Sequence, residues 1–155
     1  MIEDAITFAA QAHQGQLDKL GEPYIFHPVR VMMLVKQEGG SEAELVAAIL
    51  HDVIEDTDTT LEEVETLFSA EVAALVDAIS RRPGEDYIEY VERCVASGPS
   101  AIRLKRADLT DNSNPERLAR LPADQREELL KKYTSGFEVI DRALGQASSG
   151  LPKDG

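Results

Sequence analysis

Apolar residues recur at helical spacing from the start of the chain. Ile2, Ile6, Ala9 and Ala12 mark one face of a first helix that ends near His13, and Gly15 to Pro23 then reads as a loop. Pro28 suits the first turn of a second helix, carried by Val31, Met32, Leu34 and Val35 until Gly39-Gly40 stops it, so His27 falls at a helix entrance. Ser41 with Glu44 forms a capping box for a third helix. Its residues Leu45, Val46, Ala48, Ile49 and Leu50 are apolar on nearly every side, which predicts a central, buried element running into His51-Asp52-Val53-Ile54-Glu55-Asp56. Thr60 with Glu63 repeats the box and opens a fourth helix, and Glu71 to Ser80 continues the pattern through Val72, Leu75, Val76 and Ile79. Arg81 to Asp86, with Pro83-Gly84, reads as a loop. Further helices are expected over Tyr87 to Ala96, Ala101 to Asp111 and Asp124 to Leu144, with Pro99, Pro115 and Pro122 as breaks between them. The pattern predicts an all-α fold with one domain over residues 1–145, no internal repeat, and a disordered Gly- and Ser-rich tail over 146–155.

Composition agrees with helices: 43% of the 155 residues are hydrophobic, but only 5% are aromatic and none is Trp. A domain of this size buries about 70% of its unfolded surface, enough to support a catalytic pocket. The net charge of −13 argues against a nucleic-acid surface, which needs clustered Lys and Arg. It also means that a phosphorylated nucleotide could bind only where a cation offsets the field. Cys94 is the single cysteine and forms no internal disulfide, so it reads as a small buried thiol in a reducing compartment. The acidic start Met1-Ile2-Glu3-Asp4 has no basic leader, and no apolar run approaches the roughly 18 to 20 residues of a membrane span, so a cytoplasmic location without membrane contact is expected. Oligomeric state and regulatory partners are not legible.

Chemistry enters at His51 to Asp56. Carboxylates at the end of a helix lie where the dipole is already negative, a cost that a bound divalent cation would reverse. In a continuous helix Glu55 stands one turn from His51, and Asp56 one turn from Asp52. His27 and Asp108, the latter four residues before Asn112, supply further donors. Two His and two Asp suit a borderline divalent metal such as Mn²⁺, which polarises phosphoryl oxygens and acidifies water. Each motif alone is weak, because acidic helix ends are usually solvated. His13 reads as a residue capping carbonyls at a helix end, Glu62, Glu63 and Glu65 as a solvated face, and Arg81, Arg82, Arg103 and Arg106 as surface. Lys105, one turn before Asp108, approaches the cleft on this reading and is expected to contact the substrate.

His13-Gln14-Gly15-Gln16, Gly21-Glu22-Pro23-Tyr24-Ile25-Phe26-His27-Pro28, Leu50-His51-Asp52-Val53-Ile54-Glu55-Asp56-Thr57 and Lys105-Arg106-Ala107-Asp108 with Asn112 occur in order along the chain. Together they resemble the hydrolase domain of RelA/SpoT proteins and the stand-alone small alarmone hydrolases. The resemblance spans about residues 2–144. It implies an HD-superfamily helical bundle and a Mn²⁺-dependent hydrolase removing the 3′-pyrophosphate of (p)ppGpp-like nucleotides in the stringent response. Carried over by position, it makes His27, His51, Asp52 and Asp108 metal ligands, and Glu55 and Asp56 the pair that orients and deprotonates water. Asn112 and Tyr133 would meet sugar and phosphates, and Lys19 a phosphate. The chain departs from the family at Asp18, where an Arg commonly lies against the purine, so relaxed or adenine-leaning base selectivity is expected, with a carboxylate able to accept from an exocyclic amine. No synthetase segment accompanies these motifs, so no synthesis is expected. The competing readings are an HD phosphohydrolase for another nucleotide and a degenerate regulatory module. The presence of every ligand candidate and both acidic residues disfavours the second.

Overall fold

The computed structural model describes residues 1–145 and holds ten helices among them. In order they are α1 (Ile2–Ala12), α2 (Phe26–Gln37), α3 (Glu42–Leu50), α4 (Val53–Asp56), α5 (Leu61–Leu67), α6 (Ala70–Ile79), α7 (Tyr87–Ala96), α8 (Pro99–Asn112), α9 (Pro115–Leu118) and α10 (Ala123–Ala143). The one strand-like feature among the described residues is an isolated antiparallel bridge between Leu17 and Pro23, which closes the loop after α1. The expected tail, 146–155, lies outside the described residues.

Helix α3 is central, as its sequence predicts. Val46, Ala47, Ala48, Ile49 and Leu50 are fully buried against α1, α2, α6 and α8. Both halves of its capping box are made: Ser41 Oγ accepts from Glu44 N at 3.2 Å, and Ser41 N donates to Glu44 Oε2 at 2.6 Å. Glu44 Oε1 also accepts from Arg103 at 2.6 Å, which ties the start of α3 to α8. Arg103 is thus a brace between helices rather than a free surface charge.

The expected helix through Asp56 is broken. α3 stops at Leu50, His51 and Asp52 form a turn, and α4 is a separate single turn. The cause is local: the His51 Nδ1 group lies 2.7 Å from Ala48 O, the carbonyl that a continued helix would offer to the Asp52 amide. Likewise the segment from Leu61 to Ile79 divides into α5 and α6, because Ser69 is extended and its hydroxyl accepts from Val72 N at 3.1 Å to cap a new helix. Pro99 opens α8 instead of standing outside it; at the first helical position its missing N–H costs nothing. The single-turn α9, capped by Asn114, has no counterpart in the sequence pattern.

Helix α10 lies across α7 and α8, and Gly136 permits that close approach. A Cβ there would sit 2.8 Å from the Tyr87 hydroxyl and 3.1 Å from Leu109 Cδ1. No helix among the described residues is long and apolar enough to cross a membrane.

Candidate active site

Three elements converge on one point: the entrance of α2 with His27, the α3–α4 turn with His51 and Asp52, and the middle of α8 with Asp108. His27 Nε2 lies 3.2 Å from His51 Nε2 and 3.1 Å from Asp108 Oδ1. His51 Nε2 lies 3.3 Å from Asp108 Oδ1 and 3.1 Å from Asp52 Oδ2, which is also 3.5 Å from His27 Nε2. His27, His51 and Asp108 can each offer an atom to one ion, with all three atoms within 4.8 Å of one another. Asp52 flanks that triad, and its Oδ2 also accepts from the Tyr24 hydroxyl.

The outer hydrogen bonds decide what these rings present inward. His51 Nδ1 faces Ala48 O, and His27 Nδ1 lies 2.7 Å from Asp111 Oδ2, so each Nδ1 carries its proton outward. In the neutral rings both Nε2 atoms are therefore lone pairs, facing each other and two carboxylate oxygens across about 3 Å. A cation placed between them satisfies such a set. The proton affinities agree: burial works against a charged His51 most strongly, yet the Asp52 and Asp108 carboxylates outweigh it and hold its pKa well above the ordinary histidine value. Burial likewise opposes the charge on Asp108, but Lys105 and the two histidines keep it well below the usual carboxylate range.

Asp111 is a site residue that sequence analysis missed. Arg30 grips it from Nε at 2.7 Å and NH2 at 3.1 Å, and Arg117 NH1 adds a contact at 3.2 Å. The signal was available in its spacing, since Asp108 and Asp111 stand three apart on one face of α8.

Glu55 and Asp56 occupy the wall next to this centre, on different hydrogen-bond partners. Glu55 Oε1 accepts from Arg81 N at 3.0 Å. Its edge is open to solvent at the mouth of a concave site, but the surrounding wall still strips much of its hydration. That burial, with the Asp52 charge beside it, pushes its pKa up to about 7. Asp56 is also raised, by burial first and then by Asp52, and its Oδ2 accepts from Gln16 Nε2 at 3.1 Å.

Two adjoining cavities make the cleft. The inner one, of about 160 Å³, reaches His27, Asp52, Glu55 and Asp108; the outer, of about 460 Å³, reaches Asp18, Lys19, Asp56 and Arg117. Tyr24, His27, Asn112, Lys132 and Tyr133 line both, so the two are continuous. Of the residues expected to contact a nucleotide, Lys19, Asn112 and Tyr133 are brought to this cleft. Asn112 also donates to Asp108 Oδ1 at 3.0 Å. Lys105 lines the inner cavity but is buried, with Nζ 2.8 Å from Asp108 Oδ2 and 3.2 Å from the Tyr90 hydroxyl, so its first partner is Asp108. Arg81, read from sequence as surface, also lines the inner cavity. Lys132 was missed: its Nζ stands 4.9 Å from the Tyr87 ring centre, and its pKa is lowered by burial and by Arg81, Lys19 and Lys105.

Two expectations change. The Asp18 side chain is neither solvent-facing nor available to a base: Oδ1 accepts from Leu20 N at 2.8 Å and Glu22 N at 3.0 Å, and Oδ2 pairs with Arg117 at 3.4 Å. The His13 ring caps no carbonyl. Its Nδ1 lies 2.8 Å from Gln16 Oε1.

The HD domain family profile matches residues 5–96. The guanosine-3′,5′-bis(diphosphate) 3′-pyrophosphohydrolase of Aquifex aeolicus (strain VF5) is 37% identical over 152 residues, covering 93% of this chain and 21% of the relative. A probable enzyme of the same description from Synechocystis sp. is 48% identical over 149 residues, covering 91% and 20%. The bifunctional (p)ppGpp synthase/hydrolase SpoT of Escherichia coli (strain K12) is 32% identical, covering 93% and 22%. The chain thus spans about a fifth of the length of these curated relatives. A solved structure described as a metazoan ortholog of SpoT that hydrolyzes ppGpp superposes with a TM-score of 0.78 at 27% identity, over 90% of this chain and 84% of that one. The chain belongs to the HD domain family and is homologous to the hydrolases of the SpoT/RelA group.

Proposed function

We propose that this protein is a Mn²⁺-dependent 3′-pyrophosphohydrolase of alarmone nucleotides such as (p)ppGpp or (p)ppApp, with residues 1–145 as its catalytic unit. The observation that carries the reading is the convergence of two histidine lone pairs with the Asp52 and Asp108 carboxylates, next to a carboxyl group with a pKa near 7. His27, His51, Asp52 and Asp108 would hold the ion. A divalent cation bound there supplies Lewis acidity toward a phosphoryl oxygen and toward water.

The chain's own groups account for the rest. Glu55, half-ionised near neutral pH, accepts a proton from the attacking water, and the Arg81 amide fixes its Oε1 so that the carboxylate keeps one orientation. Asp56, next to it on α4 and facing the outer cavity, would orient the same water. Asn112 and Tyr133 line the passage between the two cavities, where a ribose and its phosphates would lie. Lys132 and Lys19 provide the positive field that anionic phosphates need in a chain with net charge −13. Such chemistry belongs in the cytoplasm, with a small nucleotide as the partner.

A second reading is hydrolysis of a different nucleotide at the same centre, because position 18 holds an Asp committed to Arg117 and two loop amides and so presents no cation to a guanine. The test is incubation of the purified, metal-stripped protein with Mn²⁺, Mg²⁺ or Zn²⁺ and a panel of 3′- and 5′-phosphorylated purine nucleotides, with products separated by chromatography. Release of pyrophosphate from ppGpp or ppApp with Mn²⁺ is expected. Turnover of 5′-phosphorylated nucleotides alone would replace the alarmone reading by the second one.

A further inference from the structure

We infer that His13 is a positioning residue for Asp56, acting through the amide of Gln16. The inference rests on the proposed role of Asp56 in orienting water. His13 is buried at the end of α1, and its ring makes one hydrogen bond, from Nδ1 to Gln16 Oε1 at 2.8 Å. Gln16 Nε2 then donates to Asp56 Oδ2 at 3.1 Å.

The sense of this chain follows from chemistry. An ionised carboxylate accepts only, so the Gln16 atom facing Asp56 must be its NH2, and its carbonyl oxygen must face His13. That oxygen accepts only, so His13 Nδ1 must carry the proton. The amide is therefore held at both ends, and reversing it would set oxygen against oxygen at Asp56.

The other ring nitrogen gives the reason for a histidine. His13 Nε2 is buried with no partner. Burying an unpaired polar atom is unfavourable, and a Leu or Phe of similar bulk would avoid it. The ring is kept for its Nδ1 contact, not for packing. The backbone is arranged to suit: Gly15, at φ +80°, turns the chain so that Gln16 N donates to His13 O at 3.0 Å, and Tyr24 N donates to Gln16 O at 2.9 Å. The Tyr24 ring, centred 5.1 Å from that of His13, covers its face while donating its own hydroxyl to Asp52. His13 and Gln16 thus brace one acidic residue of the pair as Arg81 N braces the other.

The experiment compares His13→Asn, His13→Gln and Gln16→Glu in the full, Mn²⁺-loaded chain, measuring kcat, KM and bound metal, and determines the structures of the two His13 variants. Asn places a side-chain NH2 near the Nδ1 position and Gln near Nε2. The expected result is that His13→Gln and Gln16→Glu lose kcat by a factor on the order of 10 to 10², with metal content and KM unchanged, while His13→Asn recovers most of the rate. The Gln16 amide should stay on Asp56 in the Asn variant and leave it in the Gln variant. Equal loss in both His13 variants, or no loss in either, overturns the inference, as does a Gln16 amide that still donates to Asp56 in His13→Gln. Failure of the unaltered protein to hydrolyse any alarmone would instead overturn the functional reading, and the two variant structures would still decide whether His13 sets the amide.

Discussion

The inner and outer parts of the cleft are built on different terms. In the inner part each functional atom is fixed by a second group: His51 by a backbone carbonyl, His27 by Asp111, and Asp108 by Lys105 and Asn112. These contacts are short and come from α3 and α8, so the donors stand ready before any ligand arrives. The outer part is walled by the Gly15 to Pro23 loop with the exposed Lys19, and Lys132 stands beside the Tyr87 ring where the two parts join, so a ligand entering meets positive charge first. The contrast suits a division of labour in which the inner centre does chemistry and the mouth gathers anions. It also predicts that perturbations weaken in their effect from the inside outward.

The largest effect is expected at Asp108. Asp108→Ala removes a donor from the centre and leaves Lys105 Nζ buried without its carboxylate, a loss of the kind that costs about 3–5 kcal/mol. Metal content by elemental analysis, hydrolysis of the alarmone and the urea midpoint should all fall together. A folded, fully metallated and active Asp108→Ala protein would exclude the proposed centre.

Glu55→Gln comes next, and it separates chemistry from metal binding. Turnover should drop by about 10² to 10⁴, the usual worth of acid–base help, with the metal retained. The pH profile gives the sign. Glu55 must be ionised to take a proton, and its pKa is raised to about 7, so kcat/KM should rise with pH through an acid limb and level off above it. A bound cation favours the carboxylate, which places that limb at or below pH 7 rather than above it. The limb should vanish in Glu55→Gln. An unchanged limb assigns it to another group, and loss of metal in this variant would make Glu55 a ligand.

How much of this contrast the sequence carried depends on the range of the interactions. Capping boxes, prolines and apolar spacing act within a few residues, so α1, α3, α7 and α10 and the burial of α3 were legible. The break at His51-Asp52 was not, because Val53 and Ile54 keep the apolar rhythm while a side chain takes the carbonyl that the next amide needed. His27, His51, Asp52 and Asp108 were found as donors by type and order. Their supports were not: the spacing puts Asp111 on the face of Asp108, but its role as the partner of His27 shows only once His27 and Arg30, far away in sequence, are seen to meet it. At the mouth the sequence misled, since an Asp in a loop reads as solvated or ligand-facing, and nothing local says that Arg117 and two loop amides will occupy Asp18.

Lys132 tests the outer part. Burial and the nearby cations Arg81, Lys19 and Lys105 lower its pKa, so an anion in the cleft relieves a repulsion already present. Lys132→Ala should raise KM by a factor of about 3 to 10 with little change in kcat, corresponding to about 1 kcal/mol of uniform binding. The dependence of kcat/KM on ionic strength should flatten in the same variant. A fall in kcat with KM unchanged would move Lys132 from gathering the substrate to the reaction itself.

The smallest effect is expected on the choice of base. If Asp18 reads the purine, Asp18→Arg should change the ratio of kcat/KM for ppGpp and ppApp. The hydrogen bonds predict otherwise, because both oxygens are already committed, Oδ1 to the Leu20 and Glu22 amides and Oδ2 to Arg117. Asp18→Arg removes the acceptor for both amides and sets a cation against Arg117. The loop should loosen, at a cost of about 1–3 kcal/mol for the unpaired groups, and KM should rise for both nucleotides alike. Asp18→Asn keeps an acceptor for the amides and loses only the charge toward Arg117, so its KM should lie between the other two. Measuring the ppGpp to ppApp ratio in all three proteins decides the matter. A ratio constant within twofold makes Asp18 a loop anchor, whereas a tenfold shift toward ppGpp in Asp18→Arg would mean that the loop rearranges on binding and that position 18 faces the base after all.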